Sequence, residues 1–190
     1  DIAASSFGGM VYYTSPDRIA LLAQLQSQTI KAICDADWKD LTIELLPEIP
    51  DFTLLVGWTG QVAITDSLIQ ATEKKRKVET DSAFYKEFLK KSHAIVQSLQ
   101  TAWNKQDIPA LQEGIRANRA LLNEFAKVMQ LEIETPALQA LCDLAEQVGA
   151  CAKTSGAGGG DCGICFTQNE QQRQQIENQW AKAQIQVLPL

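Results

Sequence analysis

The sequence lacks several features that would place it in a specialised class of protein. Its 17 Lys and Arg residues are outnumbered by 23 Asp and Glu residues, so it has no basic surplus of the kind that nucleic-acid binding requires. No apolar run approaches the roughly 20 residues that a membrane-spanning helix needs. No charged segment followed by an apolar core, typical of a signal peptide, opens the chain. We therefore expect neither nucleic acid nor membrane among its partners.

Cysteine and histidine are also scarce. Five cysteines are an odd number and are scattered, which argues against a disulfide scaffold and favours free thiols in a reducing cytoplasm. Cys162 and Cys165 have metal-like spacing, but residues three apart on a strand point to opposite faces, so buried thiols are expected. The single histidine, His93, lies in a predicted helix and cannot complete a Ser-His-Asp set. The sequence predicts no metal site built from these residues.

The remaining composition is that of a globular protein. Hydrophobic residues make up 45% and charged residues 21% of the 190 residues, enough for one domain or two small ones. The chain opens Asp1-Ile-Ala-Ala-Ser5, which looks like the inside of a helix and lacks an initiator Met. We therefore expect the chain to be a fragment whose N-terminal part is not covered.

Hydrophobic periodicity predicts an α+β fold. Predicted strands cover residues 41–45, 53–57, 150–154, 162–166 and 185–188, and predicted helices fall within 84–99, 108–129, 136–148 and 170–183. The apolar stripe of the second helix consists of Ile108, Leu111, Ile115, Leu122, Phe125 and Met129. This order predicts an antiparallel sheet with helices packed on one face.

A glycine-rich loop is predicted between the two strands at 150–154 and 162–166. Five of the 11 glycines lie within residues 156–163. Glycines allow positive φ and let backbone N–H groups approach a ligand closely, so a run of them can form an anion-binding concavity. The alternative is a flexible turn. The loop matches neither the Walker motif nor the dinucleotide fingerprint.

Two further segments have the form of ligand-binding elements. Gly57-Trp58-Thr59-Gly60 follows a predicted strand and precedes a predicted helix, an arrangement that binds anions at the helix N-terminus, although it can also be a plain connection. Asp1 and Ser5 share a face if their segment is helical, and Gly8-Gly9 suit the end of that helix. Taken alone, Asp1 is better explained as a surface charge.

Asn118 interrupts the apolar stripe of the helix at 108–129. A polar residue in such a stripe must find partners if it is buried. Asn118 either binds backbone groups in the core or looks into a ligand cleft together with Arg119, the next residue round the helix. The second alternative predicts that Arg119→Ala weakens the binding of a ligand.

Taken together, these segments resemble the GHMP kinase superfamily. The opening Asp1-to-Gly9 segment is similar to its catalytic-aspartate segment, and Lys153-Thr-Ser-Gly-Ala-Gly-Gly-Gly-Asp-Cys162 is similar to its C-terminal glycine motif. Gly57-Trp58-Thr59-Gly60 and Ile133-Glu134-Thr135 resemble segments of the phosphomevalonate kinase branch. The resemblance extends over essentially the whole chain.

The resemblance implies a two-lobed kinase that transfers a phosphoryl group from ATP, with Mg²⁺, to phosphomevalonate. Residues 1–50 would end the N-terminal, ATP-side lobe and form the connection, and residues 51–190 would form a ferredoxin-like C-terminal lobe. The rest of the N-terminal lobe would be the partner of this chain, which would be inactive without it. The site residues implied are Asp1 (catalytic); Ser5, Thr59, Gly60, Asn118, Arg119, Lys153 and Ser155 (substrate-binding); and Gly156, Ala157, Gly158, Gly159, Gly160 and Asp161 (phosphate loop).

The sequence departs from the branch at one place and leaves two other functions open. Val62, Ile64 and Asp66 stand where the branch has a Pro-Ala-Ser-Thr-like stretch, which puts the acceptor contacts there in doubt. The alternatives are another small-molecule kinase of the superfamily, similar to mevalonate kinase, and a non-catalytic lobe that binds or dimerises.

For the glycine loop, we expect Gly158→Val to impair substrate use with little effect on folding.

Overall fold

A computed structural model describes residues 2–60, 83–156 and 158–189. The helices are α1 Ile2–Phe7, α2 Arg18–Gln24, α3 Ile30–Cys34, α4 Ala83–Asn104, α5 Ile108–Met129, α6 Pro136–Gln147 and α7 Glu170–Lys182. The strands are β1 Val11–Thr14, β2 Thr42–Leu45, β3 Thr53–Trp58, β4 Cys151–Thr154, β5 Cys162–Thr167 and β6 Gln186–Leu188. The chain divides into two compact units, Asp1–Glu48 and Ile49–Leu190.

The first unit contains a two-stranded antiparallel sheet of β1 and β2 and the short helices α1, α2 and α3. Asp17 caps α2 by accepting a hydrogen bond from the Ala20 N–H, and this bond, followed by that from Lys39, lowers the pKa of the Asp17 carboxyl. Gly8 and Gly9 follow α1 with φ of 68° and 60°, which confirms them as a helix end.

The second unit is built on a four-stranded antiparallel sheet with the order β4-β5-β3-β6. The face that carries Leu55, Ala152 and Cys165 is buried under α6 and α7. The opposite face includes Val56, Ile164 and Lys153, which are half-buried. The predicted α+β class with an antiparallel sheet is confirmed, and all five predicted strands are present with small shifts at their ends.

Two glycines opposite each other in the sheet make room for the helices. Gly57 pairs with Gly163, and a Cβ on Gly57 would lie 2.8 Å from both Leu141 Cδ1 and Trp180 Cζ3. Such a distance is shorter than real Cβ contacts, so a larger residue would push α6 and α7 off the sheet. Trp180 is fully buried there, and its indole N–H donates to the Leu141 carbonyl.

Helices α4 and α5 form an antiparallel hairpin. The predicted N-cap Asp107 accepts a hydrogen bond from the Ala110 N–H, and a Cβ on Gly114 would lie 2.6 Å from Leu99 Cδ2. Leu121 is buried, whereas Leu122, predicted for the apolar stripe, is half-buried. Four residues of the predicted stripe are buried, namely Leu111, Ile115, Phe125 and Met129, and Ile108 is half-buried like Leu122. The buried surface of α5 is wider than the predicted stripe because the helix packs against both α4 and β4.

The predicted start of α6 is also confirmed. The Thr135 hydroxyl accepts from the Leu138 N–H, and Pro136 is the first residue of the helix. Among the described residues, no helix is both long enough and apolar enough to cross a membrane.

Candidate functional site

The loop between β4 and β5 has a backbone that requires glycine. Gly156, Gly158, Gly159 and Gly160 have φ of 60°, 77°, 84° and 118°, in a region that side-chain-bearing residues rarely adopt. Four positive φ values within five residues turn successive peptide groups in directions that a two-residue hairpin turn does not. The loop therefore has a specific shape that its glycine content makes possible.

Thr59 holds the C-terminal end of this loop. Its N–H donates to the Asp161 carbonyl over 3.0 Å, and its hydroxyl lies within hydrogen-bonding distance of the Gly160 and Asp161 carbonyls. Gly60 follows with φ of 80°, and no described residue comes within 4 Å of the position that its Cβ would take. The structure thus brings the Gly57–Gly60 segment and the glycine loop together, although they are about 100 residues apart in the chain.

Ile133 holds the centre of the loop. The Gly159 N–H donates to the Ile133 carbonyl over 2.8 Å, and a Cβ on Gly158 would lie only 2.3 Å from the same oxygen. Gly158 is therefore required by packing against Ile133. The expectation that Gly158→Val leaves folding intact was wrong, because its side chain would collide with backbone atoms.

Some backbone N–H groups of the loop are paired within the loop and some are not. The Ser155 N–H donates to the Cys162 carbonyl, and the Gly158 N–H donates to the Ser155 carbonyl. The N–H groups of the exposed Gly156 and Asp161 and of the buried Gly160 have no acceptor among the described residues. Unpaired N–H groups in a left-handed turn form an anion-binding concavity. Ala157 lies outside the described residues.

Lys153 adds a cation just before the loop. It is the third residue of β4, and its Nζ donates to the Thr154 carbonyl over 2.7 Å. Burial lowers its pKa, and in the described part of the chain no carboxylate pairs with it. A partly buried ammonium without a carboxylate partner is poorly neutralised by the protein itself, so an anionic ligand would stabilise it.

Asp161 supplies a carboxylate at the end of the loop. It is exposed, and its Oδ1 lies 3.6 Å from the thiol of Cys162. The described residues contain no group of three potential metal ligands. A Mg²⁺ ion bound with a nucleotide takes one or two carboxylates and completes its coordination with phosphate oxygens and water, and a single exposed Asp161 fits that donor set.

The side chain of Arg119 binds carboxylates of the chain itself, whereas the prediction had it face a ligand. Its guanidinium binds the carboxylates of Glu134, Asp143 and Glu146, the last two over 2.7 and 2.9 Å, and its side chain is 13% exposed. Burial opposes the charge of the guanidinium, but the hydrogen bonds to Glu134 and Asp143 outweigh it and raise the pKa of Arg119. The prediction placed Arg119 in a cleft as a cation for substrate. The structure uses all three of its nitrogens within the chain, because Glu134 and α6 approach it from other parts of the sequence.

The remaining predicted site residues belong to other parts of the chain. Asn118 is half-buried on α5, and Ser5 is exposed on α1 in the first unit. Asp1, and the departure at Val62, Ile64 and Asp66, lie outside the described residues. Their roles stay predictions.

The three residues Ile133, Glu134 and Thr135 support the site, but the sequence pattern did not identify this role. Ile133 binds the loop, Glu134 binds Arg119, and Thr135 caps α6. Only the capping role has a signal in a single sequence, the Thr-Pro pair. The other two depend on which segments meet in space.

Comparison with known proteins indicates the family of the chain. Residues 95–186 match the family described as GHMP kinases C terminal. The chain is 38% identical to a phosphomevalonate kinase of Streptomyces sp. (strain CL190), over 100% of this chain and 51% of that protein. The chain thus spans about half the length of the curated relative it matches.

Solved structures show the same similarity. A protein of Listeria innocua, Lin0012, superposes with a TM-score of 0.94 at 33% identity. The superposition covers 100% of this chain and 52% of the Lin0012 chain. The phosphomevalonate kinase of Streptococcus pneumoniae in complex with phosphomevalonate and AMPPNP superposes with a TM-score of 0.85 at 29% identity, over 100% of this chain and 54% of that one. By sequence and by fold, this chain belongs to the GHMP kinases, whose C-terminal domain it contains.

Proposed function

We propose that the complete protein to which this chain belongs is a phosphomevalonate kinase. It would transfer the terminal phosphoryl group of ATP to phosphomevalonate, giving ADP and diphosphomevalonate in the mevalonate route to isoprenoids. The observation that carries the proposal is the 38% identity to a curated phosphomevalonate kinase over the whole chain. The Streptococcus pneumoniae relative, solved with phosphomevalonate and AMPPNP, supports the choice of acceptor and nucleotide.

The main difficulty of this reaction is the approach of two phosphate groups. At about 4 Å and an effective dielectric of 20, one pair of unit charges repels by roughly 4 kcal/mol. The N–H groups of Gly156 and Gly160, which have no acceptor in the part of the chain that the structure describes, and the ammonium of Lys153 would offset this repulsion. Asp161 would share a Mg²⁺ ion with phosphate oxygens, and that ion would supply further positive charge.

The acceptor phosphate reduces the need for a general base. The second pKa of a phosphate monoester is about 6, so the attacking oxygen is already ionised at neutral pH. We therefore propose that Asp1 orients reacting groups rather than removing a proton. Thr59, Gly60 and Ser155 would line the acceptor side of the loop. We do not extend this proposal to Arg119, since its nitrogens bind carboxylates of the chain.

We further propose that the partner of this chain is the rest of the N-terminal lobe in the same protein. The relatives are about twice as long, and the first unit exposes large apolar side chains. Ile19 is 82%, Leu22 63% and Ile30 73% exposed. Apolar side chains exposed in such number indicate a surface that another part of the protein covers.

A coupled ADP-release assay on the complete protein tests the proposed function. Mevalonate, phosphomevalonate and diphosphomevalonate are offered in turn with ATP and Mg²⁺, and only phosphomevalonate should support turnover. Preferential turnover of mevalonate would reassign the protein within the family. No ADP release with any of the three, from a folded complete protein, would support the non-catalytic alternative.

A further inference from the structure

Glu134 carries an almost fully enclosed carboxylate, although it lies in the connection between α5 and α6. Its side chain is 7% exposed. Arg119 Nε lies 3.1 and 3.0 Å from its two oxygens, and Asn123 Nδ2 lies 2.8 Å from Oε2. A buried carboxylate is stable only with such donors, and a carboxylate bound from two sides holds its own backbone in place.

Both donors come from one face of α5. Arg119 and Asn123 are four residues apart and therefore lie one turn apart on the same side of the helix. Arg119 also binds Asp143 and Glu146 of α6. The connection is thus tied through one guanidinium to the helices before and after it.

The peptide group between Ile133 and Glu134 links this anchor to the glycine loop. Because a peptide unit is planar, the Ile133 carbonyl oxygen and the Glu134 Cα belong to one rigid group. That oxygen accepts the Gly159 N–H over 2.8 Å, and Gly158 leaves just enough room for it. A rotation of Glu134 would therefore change the direction of the hydrogen bond that holds the loop.

The neutralisation of Glu134 also matters for an anion site. Gly159, held by Ile133, precedes the buried Gly160, whose N–H has no acceptor among the described residues. A free carboxylate next to this support would oppose anion binding through its charge. Arg119 offsets this charge in part, since the same guanidinium also binds Asp143 and Glu146, and it fixes the side chain.

We propose that Glu134 is a positioning residue for the glycine loop. Its carboxylate is held by Arg119 and Asn123 and thereby fixes the orientation of the Ile133 carbonyl. That carbonyl binds the Gly159 N–H and so sets the direction of the Gly160 N–H. The catalytic consequence rests on the proposed function. The effect on the loop does not, since it can be measured without substrate.

Amide hydrogen exchange tests the effect on the loop directly. Labelling the full chain with ¹⁵N-glycine allows the exchange rates of the 11 glycine amides to be followed together by NMR. The variant is Glu134→Gln, and the matched control is Glu146→Gln, which removes the same charge from the same guanidinium at a position outside the connection. In Glu134→Gln, Gly159 should exchange faster by about tenfold or more, because local opening of the loop becomes easier. In Glu146→Gln, its exchange should stay within about twofold of the parent rate.

Two results would overturn the proposal. One is an unchanged Gly159 rate in Glu134→Gln. The other is an equal acceleration in both variants, which would mean that the carboxylate cluster only stabilises the helices. If Glu134→Gln does not fold, Asn123→Ala removes one donor and leaves the ion pair, and should accelerate Gly159 exchange by about threefold.

Kinetics on the complete protein then separate this inference from the proposed function. Glu134→Gln should raise KM for phosphomevalonate or for ATP by about tenfold, with a smaller change in kcat, because loop geometry governs phosphate binding. Faster Gly159 exchange with unchanged kinetics would support the positioning of the loop by Glu134 and contradict the assigned phosphate role.

Discussion

The four left-handed glycines of the loop serve different purposes, although they look alike in the sequence. Gly158 has no space for a Cβ, whereas no described residue comes within 4 Å of the Cβ position of Gly156. Gly158 therefore fits the loop to Ile133, and Gly156 keeps one side of the loop open. This difference makes the two residues a matched pair for mutation.

We predict that Gly158→Ala destabilises the protein and that Gly156→Ala mainly affects ligand binding. At Gly158 an overpacking cost of about 1–3 kcal/mol adds to the left-handed strain. At Gly156 only the strain of about 1 kcal/mol remains, while the new methyl group stands where an anion would approach. Urea denaturation of the 190-residue chain measures the loss of stability, and KM values of the complete protein measure the effect on ligand binding. Equal loss of stability in both variants would contradict this distinction.

Lys153 offers a second prediction at the same scale. Burial lowers its pKa in the folded state, so below the pKa of about 10.4 that lysine has in the unfolded chain, its charge destabilises the fold. Lys153→Met should therefore raise Tm by a few degrees at pH 7, and the gain should shrink as the pH rises towards 10. Thermal unfolding of both proteins from pH 6 to pH 10 measures the difference.

The same variant should bind phosphate groups less well. If Lys153 neutralises a ligand, Lys153→Met in the complete protein should raise KM by about tenfold or more, since a charge-assisted bond is lost. A more stable variant with parental kinetics would show that Lys153 has no part in binding.

At the scale of elements, β3 and β5 are shaped by the helices that lie on them. Gly57 and Gly163 stand opposite each other under Leu141 and Trp180, so the Gly57 of the predicted anion-binding turn is first of all a packing residue. The strands themselves were predictable, because short apolar runs bounded by Gly and Pro have few other solutions. The close approach of α6 to the sheet could not be predicted, since it depends on Gly57 and Gly163, which are 106 positions apart.

We predict strong coupling between Gly163 and Leu141. A Cβ on Gly163 would lie 2.6 Å from Leu141 Cδ2, so Gly163→Ala should cost about 1–3 kcal/mol of unfolding free energy. In a Leu141→Ala background the added methyl group has space, and the same substitution should cost less by about 1 kcal/mol or more. A double-mutant cycle by chemical denaturation measures this coupling, and additive costs would contradict it.

At the scale of the whole molecule, the proposed phosphoryl transfer needs residues beyond those that the structure describes. The chain spans about half of its curated relative, and Asp1 lies outside the described residues. The proposed orienting role of Asp1 is therefore a prediction about the complete protein. It differs from that of a general base in its dependence on pH.

We predict that Asp1→Asn lowers kcat by about 10²–10⁴-fold, with little change in substrate affinity. If Asp1 orients reacting groups, the rise of the rate with pH should follow the ionisation of the acceptor phosphate near about pH 6 and persist in the variant. If Asp1 is a general base instead, the rise of the rate with pH should disappear in Asp1→Asn. An unchanged kcat would exclude both roles.

The sequence by itself determined the elements of the second unit, because hydrophobic periodicity and capping residues act over a few neighbouring positions. It also determined the glycine loop and, through its resemblance, the family. Only the tertiary structure decided what Arg119 does. Its partners Glu134, Asp143 and Glu146 lie 15, 24 and 27 positions away, and a spacing pattern on α5 carries no information about which of them comes near. The same holds for Ile133 and Gly159, since a hydrogen bond between two connections depends on how α5, α6 and the sheet pack together.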